Sequence, residues 1–257
     1  MTLVEAIILA IVEGVTEFLP VSSTGHLIIA SALMGINEDP FTKAYTIIVQ
    51  SGAIFAVVVL YWRNFLSHWT FYRKLFIAFL PAAVLGMLVA DKIDALLGNV
   101  EVVAYSLIIG GIFLILFERY AKIKQTKTIS DVNHLSAFKI GCYQCLAFIP
   151  GVSRSAASIV GGLFEGLNRK SAAEFSFFLG VPTLAGACVV KMWRVRDLMT
   201  TENIDLLLVG IVVAFIAAIL AIKSFIQFLN RHGFTAFGYY RIVVGITLLV
   251  VLAVTAH

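Results

Sequence analysis

Glu13 and Glu17 stand four residues apart, so on a helix they share one face. Pro20 follows one turn later. The flanking residues are apolar, and ionisable groups in such helices are costly enough to need a purpose. Two carboxylates that close in a low dielectric either share a proton or hold a cation between them. After the proline come Ser22, Ser23, Thr24 and His26. Ser22 to His26 is an i,i+4 pair and Ser23 to His26 an i,i+3 pair, so either hydroxyl can approach the imidazole as a nucleophile approaches its base. Helix capping by the serines, with His26 as a packed polar residue, is the plainer use of the same residues. A second cluster, Ser153, Arg154 and Ser155, follows Pro150-Gly151. A guanidinium beside hydroxyls and free N–H groups at a helix start matches phosphate. An ion pair from Arg154 to Glu13 or Glu17 is compatible with that use, since it can hold an empty site until an anion arrives. Two acids, an arginine, several hydroxyls and a histidine suit a divalent cation together with an oxyanion. Hydrolysis of a phosphate ester or anhydride suits both, the acids holding the metal while Arg154 and backbone amides balance the phosphoryl charge.

The elements that must bring these clusters together are membrane helices. The chain has 257 residues, 60% hydrophobic and only 13% charged, with mean hydropathy +0.97. A soluble domain carries about 45–50% apolar and about 25% charged residues. Disordered, collagen-like and disulfide-scaffold classes fall on the same numbers. The expectation is one all-α integral membrane domain over residues 1–257. The net charge of +4 fits cytoplasmic loops and anionic lipid, and argues nothing for nucleic acid. The opening residues lack a basic n-region and carry Glu5, Glu13 and Glu17, so no cleaved signal peptide is expected. Cys142 and Cys145 form a C-x-x-C without a second pair at zinc spacing, and read as small buried hydrophobes.

Six stretches are long enough to span about 30 Å of hydrocarbon: 41–62, 74–91, 101–119, 171–193, 205–225 and 237–256. Two more apolar stretches, 1–36 and 135–167, are broken by Pro20-Val-Ser-Ser-Thr-Gly and Pro150-Gly-Val-Ser-Arg-Ser. Proline removes a helical donor and the hydroxyls after it are N-cap residues. Each stretch therefore reads as helix, break, short helix, a re-entrant hairpin whose break is sheltered by protein or a watery cavity. Arg63, Arg73 and Lys74 place the segment 63–74 in the cytoplasm. Arg119, Lys122, Lys124, Lys127 and Lys139 do the same for 119–139, and Lys223, Arg231 and Arg241 for 223–241. Glu38–Asp39, Asp91–Glu101 and 197–205 then fall outside, with Lys191, Arg194 and Arg196 an awkward basic group at an outer end. The alternation holds only if both hairpins re-enter on the side they came from, the first from outside and the second from inside. The halves, about 1–119 and 135–257 joined by the basic loop 119–139, are thus an inverted-topology repeat, echoed in Phe18-Leu-Pro-Val-Ser-Ser and Phe148-Ile-Pro-Gly-Val-Ser-Arg-Ser. Such repeats set their site where the broken helices meet, near the midplane. Arg154 reads as the one arginine set inside an apolar segment.

Glu13-Gly-Val-Thr-Glu17-Phe-Leu-Pro-Val-Ser-Ser-Thr-Gly-His26 and Pro150-Gly-Val-Ser-Arg-Ser resemble the two signature motifs of the undecaprenyl-diphosphate phosphatases, the bacitracin-resistance membrane phosphatases of bacterial cell-wall lipid recycling. The resemblance extends to Gln144-Cys-Leu-Ala and to Ala173-Glu-Phe-Ser-Phe-Phe-Leu-Gly-Val-Pro182, and in length and hydropathy to essentially the whole chain. It implies removal of the terminal phosphate from a C55 polyprenyl diphosphate, dependence on Mg²⁺ or Ca²⁺, and a site facing the outer side of the bacterial cytoplasmic membrane. Carried over by position, Glu13 and Glu17 are the metal or diphosphate acids, and Ser23 and His26 candidate nucleophile and base. Arg154 clamps phosphate with Ser22, Thr24, Ser153 and Ser155 assisting. Ala156 departs from the family's usual glycine, which bears on the geometry of the second tip. Membrane lipids are the surroundings, and a homodimer is left open. The rival from another class is a transporter, a flippase for the same lipid carrier included, since inverted repeats with intramembrane charges are transporter architecture. An attacking metal-bound water stays an alternative to Ser23 and His26.

Overall fold

A computed structural model describes residues 1–66, 69–97, 99–121 and 126–255, with backbone alone for 90–97, 230 and 255. Lys122 and Lys124 of the expected basic loop lie outside the described residues. Twelve α-helices run in order among those described: α1 (Leu3–Thr16), α2 (Ser23–Leu33), α3 (Pro40–Ile48), α4 (Gln50–Leu60), α5 (Trp62–Phe65), α6 (Trp69–Leu97), α7 (Val100–Tyr120), α8 (His134–Gln144), α9 (Arg154–Phe164), α10 (Arg169–Arg194), α11 (Thr201–His232) and α12 (Thr235–Thr255). No strand occurs among them; a single bridge joins Lys127 to Leu167.

Six helical segments are long and apolar enough to cross a membrane: Pro40–Leu60, Trp69–Val89, Val100–Tyr120, Arg169–Arg194, Thr201–Leu229 and Thr235–Val254. They coincide with the six expected spans to within a few residues. The first is not one smooth helix, however. A turn at Val49 separates α3 from α4, where the Gly52 amide donates to the Val49 carbonyl at 3.0 Å. Leu208, Val212, Ile216 and Leu220 recur every fourth residue on α11 and are all exposed. A stripe of that kind has no place in water and faces hydrocarbon.

Both proline-broken stretches show helix, break, helix. α1 ends at Thr16, and Pro20 supplies no amide to carry it on; α2 begins at Ser23. In the second stretch α8 tightens into a 3₁₀ turn at Cys145–Phe148 before Pro150, and α9 begins at Arg154. Ser22 and Ser153 are the N-caps, each accepting from an amide three residues on, Gly25 at 3.3 Å and Ala156 at 3.2 Å. Both have left-handed backbone, φ 71° and 76°, and no other non-glycine among the described residues does. The Ala156 departure therefore changes little: its amide does what the Gly25 amide does, from ordinary helical backbone.

The helices of the broken stretches pack on distant spans, α1 on α11 and α8 on α6, while α4 lies against α10 and α7 against α12. Two opposite ends emerge. At one, Lys74 reaches the Ser130 carbonyl, Lys127 pairs with Gly166 and Asn168, and Arg169 and the Phe234 amide both bond Glu118. At the other, Phe41 and Ala44 join a cluster flanked by Met1, Met34, Val195 and Met199. The larger apolar cluster, with Phe18, Phe175, Phe177 and Phe178, lies beside both breaks.

Candidate active site

The breaks face each other across a cavity of about 130 Å³. Glu17, Ser22, Ser23 and Thr24 line it from the first tip, and Pro150, Gly151, Ser153 and Arg154 from the second. Ala147 and Phe148 add an apolar wall, and Gln50 and Leu184 come from the middles of two spans. The tips also touch directly, the Ser155 hydroxyl donating to the Leu19 carbonyl at 2.6 Å.

One carboxylate organises the centre. Glu17 Oε1 accepts from Arg154 Nη2 at 2.9 Å, and Glu17 Oε2 accepts from the Ser23 hydroxyl at 2.5 Å. Arg154 Nη1 donates to the Ser176 carbonyl at 2.9 Å, and the guanidinium carbon lies 5.4 Å from the centre of the Phe18 ring. α10 comes this close because position 180 is glycine: a Cβ there would sit 2.7 Å from Nη1. Ser153 and Ser155 hydroxyls bond each other at 3.0 Å, and Ser158 pairs with Ser176 at 2.7 Å behind Arg154.

Glu13 is wholly buried, and among the described residues neither of its carboxyl oxygens has a hydrogen-bond partner. An acceptor pair left bare in that way is costly unless something supplies a proton or a positive charge. Glu13 lies beside Glu17 but does not line the cavity, so it backs the site from within α1.

His26 is not at the centre. Its Nδ1 meets the Ser22 carbonyl at 2.8 Å and its Nε2 the Tyr240 hydroxyl at 2.7 Å, with the two rings stacked. A carbonyl only accepts, so Nδ1 carries the hydrogen. Neither serine hydroxyl bonds the imidazole. Helical spacing alone suggested that contact, but the left-handed turn at Ser22 presents its carbonyl to the ring, and the Ser23 hydroxyl turns to Glu17.

Two expectations about arginine are corrected. Arg154 is not alone in the interior, and Arg241 is not a cytoplasmic loop charge: its side chain is 1% exposed and lies among backbone carbonyls near both tips. Arg241 fell inside the expected span 237–256 as well as the loop 223–241, and that overlap was the signal. Gln50 was also missed, although it is an amide at the middle of an expected span. Among the described residues no three His, Cys, Asp or Glu side chains gather as a ready metal cage.

The chain is similar to known proteins over nearly its whole length. The family model for the bacitracin resistance protein BacA matches residues 6–247. The chain is 53% identical over 254 residues to an undecaprenyl-diphosphatase of Bdellovibrio bacteriovorus, covering 98% of this chain and 97% of that one. It is 54% identical over 254 residues to an undecaprenyl-diphosphatase of Flavobacterium psychrophilum, covering 98% and 96%. To one of Rhodopseudomonas palustris it is 42% identical over 258 residues, covering 96% of each.

Proposed function

This chain belongs to the bacitracin resistance protein BacA family, and from that premise we propose that it is an undecaprenyl-diphosphatase. It removes the terminal phosphate of a C55 polyprenyl diphosphate, leaving the lipid monophosphate and inorganic phosphate, and thereby confers bacitracin resistance. The observation that carries this reading is the chain Arg154–Glu17–Ser23, which joins a phosphate-binding cation to an activated hydroxyl across the two tips.

Ser23 is the nucleophile. Its Oγ attacks the terminal phosphorus while Glu17, the acceptor that the hydroxyl already bonds, takes its proton. The bond from phosphorus to the bridging oxygen breaks, and the lipid monophosphate leaves without needing a proton. Arg154 exchanges its pairing with Glu17 for the phosphoryl oxygens and balances the charge that spreads over them. Glu17 then releases its proton to solvent through the cavity; water attacks the phosphoserine and gives a proton to Glu17, and phosphate leaves as Glu17 passes that proton to the Ser23 oxygen. Ser22, Thr24 and Ser153 border the same cavity and orient the diphosphate, with Ser155 behind them. His26 acts through the Ser22 carbonyl, holding the first tip in place.

The acids suit a divalent cation of the Mg²⁺ or Ca²⁺ kind. Glu13 offers two bare buried oxygens, and Mg²⁺ commonly takes one or two carboxylates and completes its shell with water and substrate phosphates. Glu13 and Glu17 would hold it, and it would neutralise diphosphate charge.

The two broken stretches re-enter the bilayer as hairpins of an inverted repeat. Packing supports this: exchanging the halves turns α1 on α11 into α8 on α6, and α4 on α11 into α10 on α6. The end that carries Lys74, Lys127, Arg169 and Gly166 is cytoplasmic by its charge. The membrane is the bacterial cytoplasmic one, and the cavity draws substrate from its outer side.

The test is direct. Purified full-length protein with C55 diphosphate and Mg²⁺ should release phosphate, and chelator should stop it. Folded protein that releases none would favour the transporter, to be read by lipid movement in vesicles.

A further inference from the structure

We propose that Arg241 is the positioning residue that holds both hairpin tips in register, its catalytic consequence resting on the hydrolase reading above. A guanidinium has five N–H groups, and Arg241 directs them to five carbonyls. Nη1 donates to Pro20 at 3.2 Å and Val152 at 3.0 Å; Nη2 donates to Gly151 at 2.9 Å and Ser106 at 3.2 Å; Nε reaches Leu107 at 3.5 Å. Three of these carbonyls belong to the tips, one from the first and two from the second. The other two belong to α7, which serves as a fixed rail.

The pinned groups matter by their place in the chain. The Val152 carbonyl belongs to the peptide that leads into Ser153, and that plane helps define the left-handed φ of Ser153. Ser153 in turn sets the first residue of α9, Arg154, against Glu17. Pro20 lies two residues before Ser22, whose own carbonyl His26 holds. Arg241 does not line the cavity, so it touches no substrate and works through these carbonyls.

Among the described residues no carboxylate hydrogen-bonds it. A buried charge held only by dipoles is expensive, and a surface loop or a neutral side chain would satisfy α12 more simply. Lysine would not replace it, because three donors on one point cannot span carbonyls of three elements. The backbone makes room for this side chain: a Cβ at Gly110 would lie 2.1 Å from Arg241 Nη2. Gly110→Ala therefore displaces the guanidinium without removing its charge.

Full-length wild type, Arg241→Lys and Gly110→Ala, each purified, are compared by hydrogen exchange and by phosphate release from C55 diphosphate with Mg²⁺. Both variants should exchange about tenfold faster at residues 17–25 and 149–157 together, with α4 and α10 unchanged. Misplacement of the reacting groups should lower kcat about 10²-fold, while KM stays within about threefold because lipid binding is untouched. Should Arg241→Lys not fold, Gly110→Ala decides. Unchanged exchange, a rise in one tip alone, a rise spread through the spans, or an unaltered kcat with both tips loosened would each overturn the proposal. If both tips loosen as stated and wild type releases no phosphate, positioning stands and the hydrolase reading falls.

Discussion

Arg154 divides its guanidinium between Glu17 on one tip and the Ser176 carbonyl on α10, so its charge and its planar fork both matter. Arg154→Ala should cost about 10³-fold or more in turnover, and Arg154→Lys should recover little, as phosphate release assays will read. Ser23→Ala should abolish the phosphoenzyme that a brief reaction with labelled substrate traps in the wild type; label retained on that variant would move the nucleophile elsewhere. Glu13, Glu17 and Arg154 were legible in the sequence because a charge within apolar residues is conspicuous. The partnership of Ser23 with Glu17 was not. Spacing on an ideal helix favoured His26, and only the backbone reversal at Ser22 turns the hydroxyl the other way. Arg241 was hidden by ambiguity of a different kind: a basic residue near a helix start reads as a loop charge until three-dimensional packing encloses it.

At the scale of elements, the two capping serines hold a conformation that L-residues adopt at a cost of about 1–2 kcal/mol. Ser153→Ala keeps that strain and loses the cap, so it should be less stable than wild type by about 1 kcal/mol. Ser153→Gly relieves the strain with little capping loss, and should unfold at or above the wild-type midpoint while turning over more slowly for want of the hydroxyl. Denaturation in detergent and initial rates check both halves of that statement, which sets local strain against stability in the way expected of functional sites. Helix boundaries were readable because Pro20 and Pro150 stop helices and serines start them. The turn at Val49 was not, since no proline marks the spot and Gln50, Ser51 and Gly52 are all compatible with a continuous helix; it brings Gln50 to the cavity.

Across the whole molecule, the hydrophobic belt was plain from composition, and the six spans follow it. Orientation has a simple check: in a cysteine-free background, Glu38→Cys should react with an impermeant thiol reagent on intact cells and Asp131→Cys only after lysis. What composition left out is the division of labour between the two broken stretches. The first tip brings the acids and the second the arginine, so neither half holds the chemistry by itself. The two interior arginines share one further trait. Each passes a glycine whose Cβ would meet the guanidinium, Gly180 for Arg154 and Gly110 for Arg241. A saturation scan of bacitracin survival should therefore score these two positions alongside the acids, with alanine already intolerable at both. Residues with nothing to donate, accept or protonate would rank among the most sensitive in the protein, and a search for function by side-chain chemistry would pass over them.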